Sequence, residues 1–333
     1  MAAPAIETTA ASLQPEEPIR IPAHLDGVAY LYGHPLLNSL SPPLHQTVYN
    51  ALDLNWQQLP LSSANPKFVG SSVTMPHKVA IMPHLDDLTE HARQAGACNT
   101  IFIRNDPTTG ARQYVGTNTD CDGIREALLQ NSPDPSRFRG RPALIIGGGG
   151  TARTAVYVMR RWLGSSRIYI VNRDAAEVAT IMAEDRARNP DPTAQAPLIH
   201  VTDPEEAARL ECPAAIVSGI PNYPPKTPEE INARAVIRSF LGSASEASQQ
   251  EGVILEMCYH PVPWTDIAQM ASTAGWKVIL GSEALIWQGL EQARLWTGRD
   301  VVGTPGVVDA VKAVVNGSVA ERAAHLKRAS SVL

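Results

Sequence analysis

The rhythm of apolar positions along this chain changes near residue 140. Before that point it is irregular. Val28-Ala-Tyr-Leu-Tyr-Gly33 is a short β-prone run closed by glycine, and residues 41–52 carry helical periodicity, with Pro42 where a first helical turn tolerates it. Another strand-like segment passes through Val73 and stops at Pro76. Residues 79–95 set Met82, Leu85, Leu88, Ala92 and Ala95 at helical spacing, which predicts a helix. Residues 97–104 and 114–116 read as two strands about a turn at 105–110, and residues 122–129 as a helix.

The stretch Asn131-Ser-Pro-Asp-Pro-Ser-Arg-Phe-Arg-Gly140 is polar and proline-rich, as a linker would be. Beyond it, apolar runs recur at 143–146, 168–171, 214–217, 253–258 and 277–280, with helical stretches between several of them. That alternation predicts a parallel sheet covered on both faces. Residues 283–297 and 305–316 look helical. The expectation is an α/β chain of two domains, 27–130 and 131–282, with helices at 283–318. A disordered leader at 1–26 and a tail at 319–333 flank them.

Composition narrows the function classes. A net charge of −5 gives no basic surface for nucleic acid. No apolar run approaches the ~20 residues of a membrane span. The four cysteines lack a CxxC pair and read as small buried hydrophobes of a reducing compartment, the cytoplasm. Glu16 and Glu17 argue against a transit peptide. His77, His84 and His91 recur every seven residues, not at the i, i+3 or i, i+4 spacing of helical metal ligands, so no metal site is expected. Trp287 and Trp296 read as packing residues.

The strongest chemical signal is Ala143-Leu-Ile-Ile-Gly-Gly-Gly-Gly-Thr-Ala-Arg153, an apolar strand feeding glycines and then a helix. Gly147, Gly149 and Ala152 satisfy G-x-G-x-x-G/A, and Gly150 adds room for a ligand to approach the backbone. Side chains there would block a pyrophosphate, which the helix N-terminus binds through unpaired N–H groups. The following strand ends in Asn172-Arg173-Asp174, where an acid favours the ribose of NAD and an arginine the 2′-phosphate of NADP. Both are present, with Glu177 close behind, so the cofactor is NAD or NADP with the preference open.

Short hydrogen-bonding side chains crowd three parts of the first half: Asn38-Ser-Leu-Ser41, Ser71-Ser-Val-Thr-Met-Pro-His-Lys78, and Asn99-Thr100 with Asn118-Thr-Asp120. They suit a small polyhydroxylated ligand, although caps and turns use the same residue types. These blocks, with Gly33-His-Pro-Leu-Leu-Asn-Ser-Leu-Ser-Pro42, Gly96-Ala-Cys-Asn-Thr100, Gly116-Thr-Asn-Thr-Asp120, the glycine loop and Ala284-Leu-Ile-Trp-Gln-Gly289 with Trp296-Thr-Gly298, resemble the shikimate dehydrogenase family and its quinate/shikimate dehydrogenase branch over roughly residues 28–300.

The resemblance implies an N-terminal substrate-binding α/β domain and a Rossmann-type dinucleotide-binding domain, the C-terminal helices returning to the first. It implies oxidation of a ring hydroxyl of shikimate or quinate, with Lys78 and Asp120 as the catalytic pair. A lysine lowered by burial takes and returns a proton near neutrality. Ser39, Ser41 and Tyr259 would hold the substrate carboxylate, and Thr74, Asn99 and Gln288 the ring hydroxyls. Gly147, Gly149, Gly150, Thr151, Ala152 and Arg153 would cradle the cofactor phosphates, with Asn172 and Arg173 near the adenosine ribose. Ser218-Gly219-Ile220 stands where the family backs the nicotinamide, but matches its pattern poorly.

Departures from the pattern are Ser72 for an asparagine, leaving room for quinate's extra hydroxyl or water; Asn38 for a histidine; Ala284 for a methionine; and a span at 61–67 too short for the usual helix. A catalytically silent quinate- or shikimate-binding regulatory protein is the rival reading, opposed by the retention of Lys78 and Asp120.

Overall fold

Two six-stranded sheets organise the residues that the computed structural model describes, namely 24–32, 39–60, 67–74, 77–189, 196–242, 252–259 and 262–330. Most of the expected leader, Asn38, and nearly all of the short 61–67 span lie outside them.

The first sheet comprises β1 (Gly27–Tyr32), β2 (Trp56–Pro60), β3 (Phe68–Val73), β4 (Asp87–Leu88), β5 (Thr100–Asn105) and β6 (Arg112–Thr117), in the order β2-β1-β3-β5-β6-β4. It is mixed: β1 runs parallel to β2 and β3, whereas β5 is antiparallel to both β3 and β6. Helices α1 (Ser41–Ala51), α2 (Glu90–Ala95) and α3 (Asp120–Asn131) accompany it.

The helix expected over 79–95 does not form. Pro83 has no N–H to give and its ring excludes a carbonyl four residues earlier. The chain instead makes turns, a 3₁₀ turn at Met82–His84, and then β4. Helix α2 starts afresh where Thr89 Oγ1 accepts the Ala92 N–H at 3.4 Å, and ends at Gly96 in the left-handed region, φ 63°. The periodic Leu85 and Leu88 serve another purpose, packing over Gly116, where a Cβ would lie 2.5 and 2.7 Å from their methyls.

The second sheet contains β7 (Ala143–Ile146), β8 (Ile168–Val171), β9 (Leu198–His200), β10 (Ala215–Ser218), β11 (Val253–Glu256) and β12 (Lys277–Leu280). Its order, β12-β11-β10-β7-β8-β9, and its uniformly parallel pairing are those of a Rossmann sheet. Helices α4 (Gly150–Arg161), α5 (Ala175–Arg188), α6 (Pro204–Arg209), α7 (Pro228–Gly242) and α8 (Asp266–Thr273) complete it. Alternate strand residues feed two cores: Ile145, Ile170, Val217 and Leu255 face one side, Leu144, Tyr169, Ile216 and Ile254 the other. The linker is partly built in, since it holds a 3₁₀ turn at Pro135–Phe138 and buries Phe138.

After β12 the chain enters α9 (Gly281–Thr297), which packs on α3 and α1 and reaches β3 and β5, and then α10 (Val307–Ser330), which runs past the boundary expected at 318. Near the end of α9 the buried Trp296 donates its indole N–H to the Ile101 carbonyl at 2.9 Å. The ring fills the space over Gly70, where any Cβ would overlap it. Trp296→Ala is expected to cost about 3–5 kcal/mol in denaturant unfolding, because it leaves both a large cavity and an unpaired carbonyl. A cost below about 1 kcal/mol would show that the ring is dispensable to the join.

Candidate functional site

Where α9 leaves the second sheet, a cavity of about 160 Å³ opens toward the first. It is lined by Ser39, Ser41, Thr74, Lys78, Asn99, Asp120, Tyr259 and Gln288, all eight residues expected on the substrate side. Local structure explains the convergence. Thr74 follows β3, its N–H bound to the Tyr32 carbonyl at 2.9 Å, and its own carbonyl accepts from His77 at 3.0 Å to start the turn that carries Lys78. The Lys78 carbonyl is pinned by the Cys98 N–H at 2.8 Å. Helix α3 starts two residues earlier than expected, with Asp120 as its first residue, so the helix dipole favours its negative charge. Lys78 Nζ and Asp120 Oδ2 meet at 2.5 Å, with the side chains 24% and 22% exposed.

Tyr259 arrives from the loop after β11. Glu256, fully buried at the strand end, braces that loop: its Oε1 accepts the Cys258 N–H at 3.1 Å and its Oε2 the Thr265 hydroxyl at 3.0 Å. Burial pushes its carboxyl up to about 7.

A chain of buried polar groups connects several lining residues through Gln58 and Gln292, two members that the sequence did not single out. Ser41 Oγ donates to Gln58 Oε1 (2.9 Å), Gln58 Nε2 to Ser72 Oγ (3.1 Å), and Ser72 Oγ to Gln292 Oε1 (3.0 Å). Gln292 Nε2 then donates to Thr100 Oγ1 (2.8 Å), and Thr100 to Asn99 Oδ1 (2.7 Å). Ser72 itself lines the cavity, and its hydroxyl is engaged on both sides, accepting from Gln58 and donating to Gln292. Gln292 lies four residues after Gln288 on one face of α9, a spacing that flags it. Gln58 on β2 has no such signal.

His45, on α1 beneath Ser41, is fully buried, and burial pulls its imidazole down to about 4. The folded chain stays unprotonated between that value and the usual 6.5, while an unfolded chain takes up a proton. This group's stabilising contribution is thus complete above about pH 6.5 and falls by about 3 kcal/mol as the pH drops toward 4. His45→Gln should flatten that limb of a urea-midpoint profile between about pH 4 and about pH 7, and an unchanged slope would refute the assignment.

A second cavity, about 330 Å³, sits at the carboxyl ends of β7, β8 and β10, where the strand order reverses. Gly149, Asn172 and Arg173 line it, as do Gly148, Glu177, Gly219, Ile220, Tyr223 and Glu230. Fit to a dinucleotide is visible in the backbone. Cβ atoms at Gly149 and Gly150 would meet nothing within 4 Å, so the start of α4 faces open space, and no side chain caps that helix. Gly147 has φ 129°, which disfavours any other residue. Thr151 and Ala152 follow in the first turn of α4. Arg153 reaches both ways: its Nη1 donates to the Gly148 carbonyl of the glycine loop at 3.3 Å, while its Nε pairs with Glu184 at 2.8 Å and the side chain lines a separate groove between α2, α4 and α5. The two cavities adjoin, because Met257 of the first donates its N–H to Ser218, next to Gly219 of the second. The three evenly spaced histidines diverge: His77 lies against Tyr32 and His91 against Tyr157 and Trp162. Among the described residues no cluster of acids, histidines and cysteines is arranged to hold a metal, and no helix is long and apolar enough to cross a membrane.

Comparison with known proteins agrees with this architecture. Residues 31–101 match the shikimate dehydrogenase substrate binding domain. The chain is 67% identical to a quinate dehydrogenase of Emericella nidulans over 327 residues, 92% of this chain and 98% of that one. The dehydroquinate dehydratase and shikimate dehydrogenase portion of S. pombe AroM superposes with a TM-score of 0.69 at 31% identity, over 86% of this chain and 52% of that one. A shikimate 5-dehydrogenase from Mycobacterium fortuitum gives 0.65 at 28% identity, over 86% and 97%. With this fold, and with two thirds of its residues shared with a relative matched almost end to end, the chain belongs to the shikimate/quinate dehydrogenase family.

Proposed function

We propose that the chain oxidises a ring hydroxyl of quinate or shikimate to a ketone, using NAD or NADP, in the cytoplasm. The observation that carries this is the Lys78–Asp120 pair at 2.5 Å in a cavity whose other lining residues are uncharged, several of them hydroxyls and amides. The cofactor, when bound, accepts the hydride from the carbinol carbon. Lys78 receives the proton that leaves the carbinol oxygen, and Asp120 holds the lysine head in place through their ion pair. Thr74, Asn99 and Gln288 fix the remaining ring hydroxyls. Ser39, Ser41 and Tyr259, which line one part of the cavity, hold the substrate carboxylate. Gly149, Gly150 and Thr151 offer backbone N–H groups to the diphosphate, while Asn172 and Arg173 lie toward the adenosine ribose. Residues 27–130 with the returning C-terminal helices form the substrate-binding part, and residues 131–282 the cofactor-binding part.

A turnover assay with each acid and each cofactor tests this. Reduced cofactor should accumulate in at least one of the four mixtures. Its absence from all of them, with the acids still bound, would leave the silent regulatory protein as the better reading.

A further inference from the structure

We propose that Arg234, a buried arginine on α7, is a cofactor-binding residue that neutralises the diphosphate of the dinucleotide. The inference rests on the cofactor reading proposed above and deepens it.

A guanidinium is costly to bury, and folds normally match a buried one with a carboxylate. Arg234 is only 8% exposed and lines the cavity at the carboxyl ends of β7, β8 and β10. Among the described residues no hydrogen bond or ion pair engages its side chain. The carboxylates around it are committed elsewhere. Glu230, one turn earlier on α7, gives Oε1 to Arg173 and Oε2 to the N–H groups of Lys226 at 2.7 Å and Thr227 at 3.1 Å. Glu177 accepts from Asn172 Nδ2 at 2.7 Å. Glu256 feels the charge of Arg234, but its own oxygens accept from the Cys258 N–H and the Thr265 hydroxyl.

The missing acceptor must therefore come from outside the chain. The nitrogens of Arg234 are not among the polar atoms sealed away without a partner, so they stay open to the cavity that the residue lines. An anion entering there would find a planar fork of donors suited to phosphate oxygens.

The charge balance of the cavity selects the diphosphate as that anion. Adenine, the riboses and the nicotinamide bring no negative charge, so the diphosphate is the one anionic part of NAD. The start of α4 offers it N–H groups, yet a helix end supplies only roughly half a unit of positive charge. Arg173 lies at the exposed rim and is held by Glu230, while Arg153 pairs with Glu184. Among the described residues, Arg234 is the cation lining this cavity that has no carboxylate of its own.

Calorimetric binding of ADP-ribose and of adenosine, which lacks the diphosphate, to the wild type, Arg234→Met and Arg234→Lys tests this. ADP-ribose affinity should fall by about tenfold or more in Arg234→Met and recover in part in Arg234→Lys, while adenosine affinity stays within about twofold in both. The ADP-ribose affinity of the wild type should also weaken more steeply with salt than that of Arg234→Met. Without ligand the methionine variant should melt no lower than the wild type, since it loses an unpaired buried charge. ADP-ribose affinities within about twofold of wild type in the folded variants would overturn the proposal. So would equal losses for ADP-ribose and adenosine, which would mark a damaged cavity. A matching loss in binding of the acid substrate would assign the cation to Glu256 and the Tyr259 loop instead. A changed ratio of NAD to NADP affinity would place it at the ribose 2′-position. Two substitutions guard against one of them failing to fold. None of these measurements needs turnover, so absence of oxidation counts against the dehydrogenase reading alone.

Discussion

Lys78→Ala is expected to lower kcat for acid oxidation by about a thousandfold while KM changes far less, within the range that positioned proton transfer contributes. The amine touches only one ionic partner in its cavity, Asp120 Oδ2, and the cavity's remaining lining is neutral. No neighbouring group stands ready to replace it. Asp120→Asn keeps the size and the start of α3 but removes the charge that holds the ammonium, and should cost about a hundredfold. Folding is a poor explanation for such losses, because an ion pair this accessible contributes about 1 kcal/mol or less to stability. Activity in both variants within about threefold of wild type would reduce the pair to an ornament of the cleft wall and end the proposed mechanism.

The second large effect concerns the cofactor. At the end of β8 Arg173 would attract a 2′-phosphate if left alone, but its Nη1 is paired with Glu230. Backbone N–H groups of Lys226 and Thr227, then Arg173 itself, hold the Glu230 carboxyl down at about 2, so it is ionised at neutral pH. Glu177 adds a second carboxylate, accepting from Asn172 Nδ2 at 2.7 Å and lying over Gly148. One cation against two anions repels a phosphate and suits a ribose diol, which donates to carboxylates. NAD should surpass NADP by about a hundredfold in kcat/KM, and Glu230→Gln should narrow the gap by about tenfold by releasing Arg173. Because Arg173 is exposed, the preference should also weaken as salt rises. Equal use of the two cofactors by the wild type would refute this charge argument.

These two sites were legible in the sequence to different degrees. Lys78 and Asp120 stand in ordered motifs, and strands buried on both faces, such as Ala143–Ile146 and Ile168–Val171, declare themselves as continuous apolar runs. Apolar spacing alone failed at 79–95, where it took no account of a proline in the middle of the pattern. Strand β9 was missed because three half-buried residues carry no periodicity. The partners that set polarity and charge were invisible for another reason. Glu230 is 57 positions from Arg173, and Gln58 sits on a strand opposite residues it meets only after folding. Arg153 keeps its motif position and touches the Gly148 carbonyl, but its pairing with Glu184 on α5 could not be read from the motif.

Helix α9 begins in contact with the last strand of one sheet and ends with its indole locked to a carbonyl of the other. A rigid spar shared in this way leaves the halves no separate existence: melting either one strips the other of a wall. Heating should accordingly give one calorimetric peak whose van't Hoff and measured enthalpies agree. Any opening and shutting of the cleft would be a pivot about the α3–α9 pair, with no slack tether to swing on.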